Sequence, residues 1–287
     1  MRFGAVTHAL GHDLSFEQTL AAIKALGYDS ILLLTTREGE PVRADGTCPQ
    51  AFPDILRSQP EHVLRAVQAA GLSIGAVHFS GDIDVDSDEG AQRTILALRQ
   101  YGARVLALGC TILTHHVPSC GRLRAPTEEK APQICRLARI MNTVAEGFAR
   151  QGLRVACDIH QASWVEGLED CRLLLDHMPC ENAGLLLNIG HLTTAQAYGW
   201  LLVDEYPQRI PVVGWKDHSL AKNRPSPKLS VELGTGDSPF ELYIERFKRH
   251  PAERVHLINV EDAPDHARQD AMRGSLRYLQ RLWQEVG

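Results

Sequence analysis

The sequence predicts a single-domain (β/α)8 TIM barrel of the α/β class, and three observations carry that expectation. Four late apolar runs, residues 154–159, 183–188, 209–215 and 254–260, each stop at a polar cluster. Short continuous apolar runs are the pattern of strands buried on both faces, as in a parallel sheet. Along the whole chain eight such runs alternate with eight helical patterns, which calls for right-handed crossovers and a sheet covered by helices. The length of 287 residues sits a little above the roughly 250 typical of one such barrel, so residues 1–287 are read as one domain. An open doubly wound sheet would carry a Gly-rich phosphate turn after its first strand. The turn here, His8-Ala9-Leu10-Gly11-His12, lacks that spacing.

Residues 2–7 are the first strand. Ser15 reads as an N-cap with Gln18 at the capping-box position, residues 16–26 carry apolar side chains at helical spacing, and Gly27 ends that helix. Residues 30–35 are the second strand. An insertion rich in Gly, Pro and charge, residues 36–60, reads as a long loop over the rim. A helix over 61–70 stops at Gly71, and residues 73–79 are the third strand. Acidic residues open a helix over 84–100, where they suit its positive end. Residues 104–110 read as the fourth strand, with His115 and His116 in the loop beyond it. A long helix over 127–151 is stopped by Gly152. The four late strands follow, with helices over 166–177, 193–205, 238–249 and 265–285. Asp237-Ser238-Pro239 reads as cap and first-turn proline of the seventh helix.

Composition narrows the function classes. A net charge of −5 with acidic and basic residues interspersed excludes a nucleic-acid stripe and a basic membrane-surface helix. No apolar run approaches the ~20 residues of a membrane span. The N-terminus shows no signal-peptide pattern, so a cytoplasmic location is expected. Seven cysteines without a CxxC or CxxxC pair argue against a disulfide framework or structural zinc knot, and for reduced thiols.

In a barrel, the carboxyl ends of the strands converge on the face where active sites are built. That face would collect His8, His12, His78, His115, His116, Asp158, His160, Asn188, His191, Lys216, Asp217, His218, Glu261 and Asp262. The expected result is a polar, imidazole-rich pocket.

The late clusters resemble the motifs of the xylose-isomerase-like barrels, a family of sugar-phosphate isomerases, epimerases and endonuclease relatives. Asp158-Ile159-His160 stands where such proteins carry a Glu-Asn-His-type triplet, and Asn188-Ile189-Gly190-His191 where they carry Asp-x-x-His. Gly214-Trp215-Lys216-Asp217 takes the place of His-x-Lys-Asp. Gly234-Thr235-Gly236-Asp237 matches a Gly-x-Gly-Asp loop, whose amides suit a phosphate, and Glu261 matches the strand-eight glutamate. The resemblance covers nearly the whole chain, although its early parts, residues 26–30 and 71–78, are generic.

The resemblance implies a small sugar-like or polyol substrate and an isomerisation, epimerisation or dehydration that begins with proton abstraction beside a carbonyl. It gives catalysis to Asp158 and Glu261, on opposite sides of the substrate, and to Lys216, which offsets developing negative charge. His78, His115, His160 and Trp215 would touch the substrate, the tryptophan by stacking on a sugar face. A divalent metal (Mn, Mg or Zn) would draw on Asp158, Asn188, His191, His218 and Glu261, with no nucleotide cofactor. The departures bear on that metal: one carboxylate is shortened to Asp158, one is neutral in Asn188, and the imidazole position is Gly214. The second change removes anionic charge and the third removes a ligand, both of which a divalent ion needs. Two alternatives therefore stand beside the metal enzyme: Schiff-base chemistry at Lys216, or a metal-free barrel that binds a ligand or joins an assembly. A homo-oligomer is compatible with each. An endonuclease role is set aside, because several carboxylates are missing and the mild acidity gives no phosphate-binding surface.

Overall fold

The computed structural model describes residues 1–10, 14–36, 52–220 and 229–287. Strand β1 (Gly4–Val6) runs into a 3-10 turn over Thr7–Leu10. Helix α1 (Phe16–Ala25) starts as the sequence expects: Ser15 Oγ accepts the Gln18 amide at 3.2 Å, and Gln18 Oε1 accepts the Ser15 amide at 2.8 Å. Its buried residues Phe16, Thr19, Leu20 and Ile23 follow helical spacing and seat it on the sheet. Strand β2 (Ser30–Leu34), helix α2 (Pro60–Ala69), strand β3 (Ser73–Phe79), helix α3 (Asp88–Ala107) and strand β4 (Ile112–His116) follow. Next come α4 (Thr127–Gly147), β5 (Arg154–Asp158), α5 (Leu168–Asp176) and β6 (Ala183–Asn188). Helices α6 (Ile189–Thr194) and α7 (Leu201–Glu205) lead to β7 (Val212–Trp215). A rim hairpin of β8 (Asp217–Ser219) and β9 (Leu229–Val231), helix α8 (Phe240–Arg249), β10 (Val255–Ile258) and helix α9 (Asp265–Glu285) complete the chain.

Strands β1 to β7 and β10 close into an all-parallel barrel, in which β1 pairs with both β2 and β10. The molecule is a single-domain (β/α)8 barrel with flanking helices.

Three expectations about the elements are corrected. Residues 104–107 are not strand: α3 runs on to Ala107, burying Leu98, Tyr101, Gly102 and Val105 at helical spacing, and Gly109 turns the chain at φ 69°. A short apolar run does not by itself separate a strand from a buried helix end. The fourth strand therefore lies at Ile112–His116, which moves His115 and His116 out of a loop and into the barrel wall. The expected helix over 193–205 is two short helices, broken where Gln196 takes φ 56°. Helix α8 begins only at Phe240; Asp237 does not cap it, because its Oδ2 accepts the Leu220 amide at 2.7 Å. Of the insertion, residues 37–51 and with them the expected cover of the rim lie outside the described residues, as does His12. Its ends are tied together where Thr36 Oγ1 donates to the Phe52 carbonyl at 2.8 Å.

Candidate active site

Side chains along a strand alternate between the two faces of a sheet, so each barrel strand sends every second residue inward. Near the carboxyl ends the inward residues are His8, His78, His116, Asp158, Asn188, Lys216, Asn259 and Glu261, and all of them line one cavity of about 280 Å³. Below them the wall is apolar, with Val6, Leu32, Leu186 and Leu257, and Phe52 closes one side. At β7 the inward residue is Gly214. A Cβ there would stand 3.2 Å from Leu186 Cδ2 and 3.5 Å from Asn188 Cα, so a side chain at this position would press on Leu186. A second, more polar cavity shares Leu34, Phe52, His78 and His116 with the first and continues past Ser80, Asp82 and Ser119.

Two carboxylates anchor this mouth, Asp158 on β5 and Glu261 just after β10, with β6 and β7 between them in the wall. On one side Lys216 Nζ donates to Glu261 Oε1 at 2.7 Å, and Asn259 Nδ2 donates to the same oxygen at 3.0 Å. His8 Nε2 lies 3.8 Å from it. On the other side Asp158 Oδ2 lies 3.3 Å from His116 Nδ1 and 3.6 Å from His160 Nε2, while Asn188 Nδ2 donates to Asp158 Oδ1 at 3.1 Å. Burial alone would raise the Asp158 pKa. The two imidazoles outweigh it and hold the carboxyl well below the usual carboxylate range. His160 is pushed below its ordinary value by burial, against the opposing pull of Asp158. Burial lowers His78 much further, helped by the neighbouring His116, so its ring is neutral. The Thr114 hydroxyl donates to the Val77 carbonyl and so accepts from His78 Nδ1 at 2.8 Å, which leaves Nε2 as an acceptor. That atom has no hydrogen-bond partner, and neither do Asn188 Oδ1 or Asn259 Oδ1. His8 Nδ1 and His160 Nε2 are in the same position, and since buried polar atoms normally have partners, five on one cavity point to a polar ligand or water.

The loop that carries His160 is fastened from below. Lys130 of α4, buried, makes an ion pair with Asp170 of α5 and lies 3.9 Å from Glu166. Asp170 Oδ2 also accepts the amides of Glu166 and Gly167, and Glu166 Oε2 accepts the Ala162 amide at 2.6 Å.

Several expected site residues lie elsewhere. His115 points outward from β4, where Nδ1 meets the His116 carbonyl and Nε2 lies 2.8 Å from Met141 Sδ; burial lowers its pKa to about 4. Trp215 also points outward: it is fully buried, donates to His256 Nδ1 at 3.0 Å and packs among Phe240, Phe247 and Trp283. Neither lines the cavity, because each is one residue out of phase with an inward neighbour. His191 sits on α6 rather than at a strand end. Its Nδ1 bonds Gln161 and its Nε2 lies 3.3 Å from Lys216. His218 is buried beneath α6, bonded to Thr194 Oγ1 at 2.7 Å. The metal set over strands five to eight is therefore not assembled: Asn188 presents an amide, Gly214 nothing, and His191 and His218 are bound elsewhere. Asp217, next in sequence to Lys216, turns away and accepts the amides of Gly234, Gly236 and Ser238. The Gly-x-Gly loop thus spends its amides on a carboxylate of this chain and leaves none for a phosphate. Sequence reasoning gave no role to Asn259, although it sits two residues before Glu261 and so shares its inward parity. His116 was recognisable only as one of a pair.

The profile of the xylose isomerase-like TIM barrel family matches residues 11–282. Among proteins of curated function none matches this chain in sequence. Three solved structures illustrate the similarity of fold. A sugar phosphate isomerase/epimerase from Parabacteroides distasonis ATCC 8503 is 16% identical, covers 97% of this chain and 95% of its own, and superposes with a TM-score of 0.71. An L-ribulose 3-epimerase is 16% identical over 99% of this chain and 95% of its own, with a TM-score of 0.71. The IOLI protein, described with a binding zinc atom, is 13% identical over 100% of this chain and 99% of its own, with a TM-score of 0.75. At such identities the likeness is one of fold.

Proposed function

Because the chain belongs to the xylose isomerase-like TIM barrel family, we propose that it isomerises or epimerises a sugar or polyol by moving a proton at the carbon beside a carbonyl. The observation that carries this reading is the meeting of two carboxylates, Asp158 and Glu261, on one cavity from opposite walls, with Lys216 against the second. The epimerases and isomerases among the similar folds support the same substrate class.

In this mechanism the carbon face of the substrate lies on Leu32, Leu186 and Leu257, and its hydroxyls satisfy His78 Nε2, Asn188 Oδ1 and Asn259 Oδ1. Glu261 removes the proton: the C–H bond breaks, an O–H bond forms on the carboxylate, and the electron pair moves to the carbonyl oxygen. Lys216 keeps its positive charge beside that oxygen once Glu261 is neutral. The proton then returns to the former carbonyl carbon while the adjacent hydroxyl passes its proton to the former carbonyl oxygen, so the carbonyl shifts by one carbon and an isomer results. Epimerisation instead takes a proton carried into the cycle on the Asp158–His160 side, delivered to the opposite face of the same carbon, while Glu261 releases the proton it removed to solvent. No step is routed through a metal, since the implied ligand set over strands five to eight does not fit one. Imine formation at Lys216 has no support in the geometry, because its Nζ is engaged with Glu261 Oε1 at 2.7 Å.

The test is Glu261→Gln assayed on a panel of ketoses and aldoses in deuterium oxide. Turnover is expected to fall by roughly 10²–10⁴-fold, the usual cost of losing a general base. The wild type is expected to incorporate deuterium beside the carbonyl. A fully active variant, or turnover without exchange, would overturn the mechanism.

A further inference from the structure

We propose that the substrate is a reducing disaccharide and not a single sugar: its open-chain end reacts in the first cavity, and its glycosidic ring occupies the second. The two cavities are joined through Leu34, Phe52, His78 and His116, which line both. The second is the larger, about 610 Å³ against about 280 Å³, and it alone falls within the roughly 300–1,000 Å³ that small-molecule pockets span. It is built from the segments that follow β3 and β4, and its wall includes Ser80, Asp82 and Ser119. Glu261, Lys216, Asp158 and His160, which carry the proton chemistry proposed above, do not line it. The compartment therefore adds room for a ligand beside the reacting carbons and not around them.

The polar atoms of this compartment are set to accept hydrogen bonds. A hydroxyl carries one proton, and each serine here has already committed it. Ser80 Oγ donates to the Thr35 carbonyl at 2.6 Å, and Ser119 Oγ donates to the Ala162 carbonyl at 3.0 Å. Ser119 Oγ keeps one lone pair beyond that which takes the Gly121 amide. His78 Nε2, at the junction of the two cavities, is an acceptor because the Nδ1 proton goes to Thr114. Asp82, exposed on the wall, is a carboxylate and only accepts. Such a lining requires a ligand that brings donors, and a second sugar ring brings several hydroxyl protons. A phosphate brings acceptors and a charge of the same sign as Asp82, so the lining disfavours it. Phe52, Phe79, Ile83 and Pro118 supply an apolar side on which the C–H face of a pyranose can lie. The identity of the reacting end rests on the function proposed above; the size and acceptor chemistry of the second compartment do not.

Reduced sugars lack a carbonyl and cannot turn over, so they separate binding from reaction. The full-length protein is titrated calorimetrically with sorbitol, sorbitol 6-phosphate, maltitol and lactitol, the last two being disaccharides whose reduced end is sorbitol. At least one of the two is expected to bind ~10-fold or more tighter than sorbitol, a gain that one or two added net hydrogen bonds supply. Sorbitol 6-phosphate should bind no tighter than sorbitol. Ser119→Trp, which fills the second compartment, and Asp82→Leu, which removes an acceptor, should each bring the ratio of disaccharide to sorbitol affinity down towards one. Circular dichroism confirms that each variant is folded; should Ser119→Trp fail, Asp82→Leu at an exposed position still decides. Glu261→Gln should keep the disaccharide preference whatever becomes of turnover, so failure of the proton-transfer mechanism and failure of this assignment are read separately. No binding of either disaccharide, sorbitol binding as tightly as both, sorbitol 6-phosphate binding tightest, or a preference that survives both cavity variants would overturn the proposal.

Discussion

The inner and outer faces of the barrel's carboxyl end carry the same residue types in opposite states. On the inner face His78, Asn188 and Asn259 keep polar atoms without partners, and Asp158 and Glu261 face a cavity. On the outer face, one residue along each strand, His115 is engaged at both ring nitrogens and Trp215 donates to His256. The buried cluster of Lys130, Asp170 and Glu166 also lies outside the barrel, between α4 and the β5–α5 loop, and most of its oxygens are taken by loop amides and the lysine. Polar groups outside the barrel are mostly paired with one another, whereas several inside keep an atom without a hydrogen-bond partner. The difference comes from strand parity and not from residue chemistry.

The comparison can be broken most directly at Lys130. Lys130→Met leaves two carboxylates buried beside no cation and should cost about 3–5 kcal/mol in urea unfolding. Its second effect should be on activity, through the loop that carries His160. A cost below about 1 kcal/mol would show that the outer cluster is not structural. Trp215→Ala is expected to destabilise by a similar or slightly smaller amount, ~3–5 kcal/mol, because it empties a packed aromatic site. Were Trp215 a substrate contact, the same change would spare stability and remove activity.

Acid should test the outer histidines by a smaller margin. Burial holds His256 at about 3 and His115 at about 4, against 6.5 for a free imidazole. The folded state therefore binds fewer protons than the unfolded one below pH 6.5, and stability falls as pH drops. Each site should contribute up to roughly 1.4 kcal/mol per pH unit between its two pKa values. Urea unfolding at pH 7 and pH 5 measures this, and His256→Leu should flatten the slope by one site's share. An unchanged slope would mean that the outer histidine is not held neutral. The smallest effect is expected at His116→Ala, a half-exposed rim position, where stability should stay within about 1 kcal/mol of wild type. A larger loss would place that imidazole with the structural set.

Much of the fold was legible because it rests on local pattern. The capping box at Ser15 and Gln18, the glycines that stop helices, and the late apolar runs follow from rules that act over a few residues. The fourth strand was not legible, since residues 104–110 satisfy a strand and a buried helix end equally until Leu98 and Tyr101 are seen to share their face. The gathering of Asp158, Lys216 and Glu261 near one mouth follows from strand ends converging. The choice between His115 and His116, or between Trp215 and Lys216, depended on register.

The sequence by itself determined the barrel, the end that bears the ionisable groups, and the loss of side chain or charge at Gly214 and Asn188. The tertiary structure alone decided which of two adjacent residues faces the cavity, through pairings such as His116 with Asp158 and Asn188 with Gly214. It also decided that the Gly234–Gly236 amides go to Asp217. The physical reason is that composition and periodicity are properties of one segment, whereas parity and hydrogen-bond partnership are fixed between segments far apart in the chain.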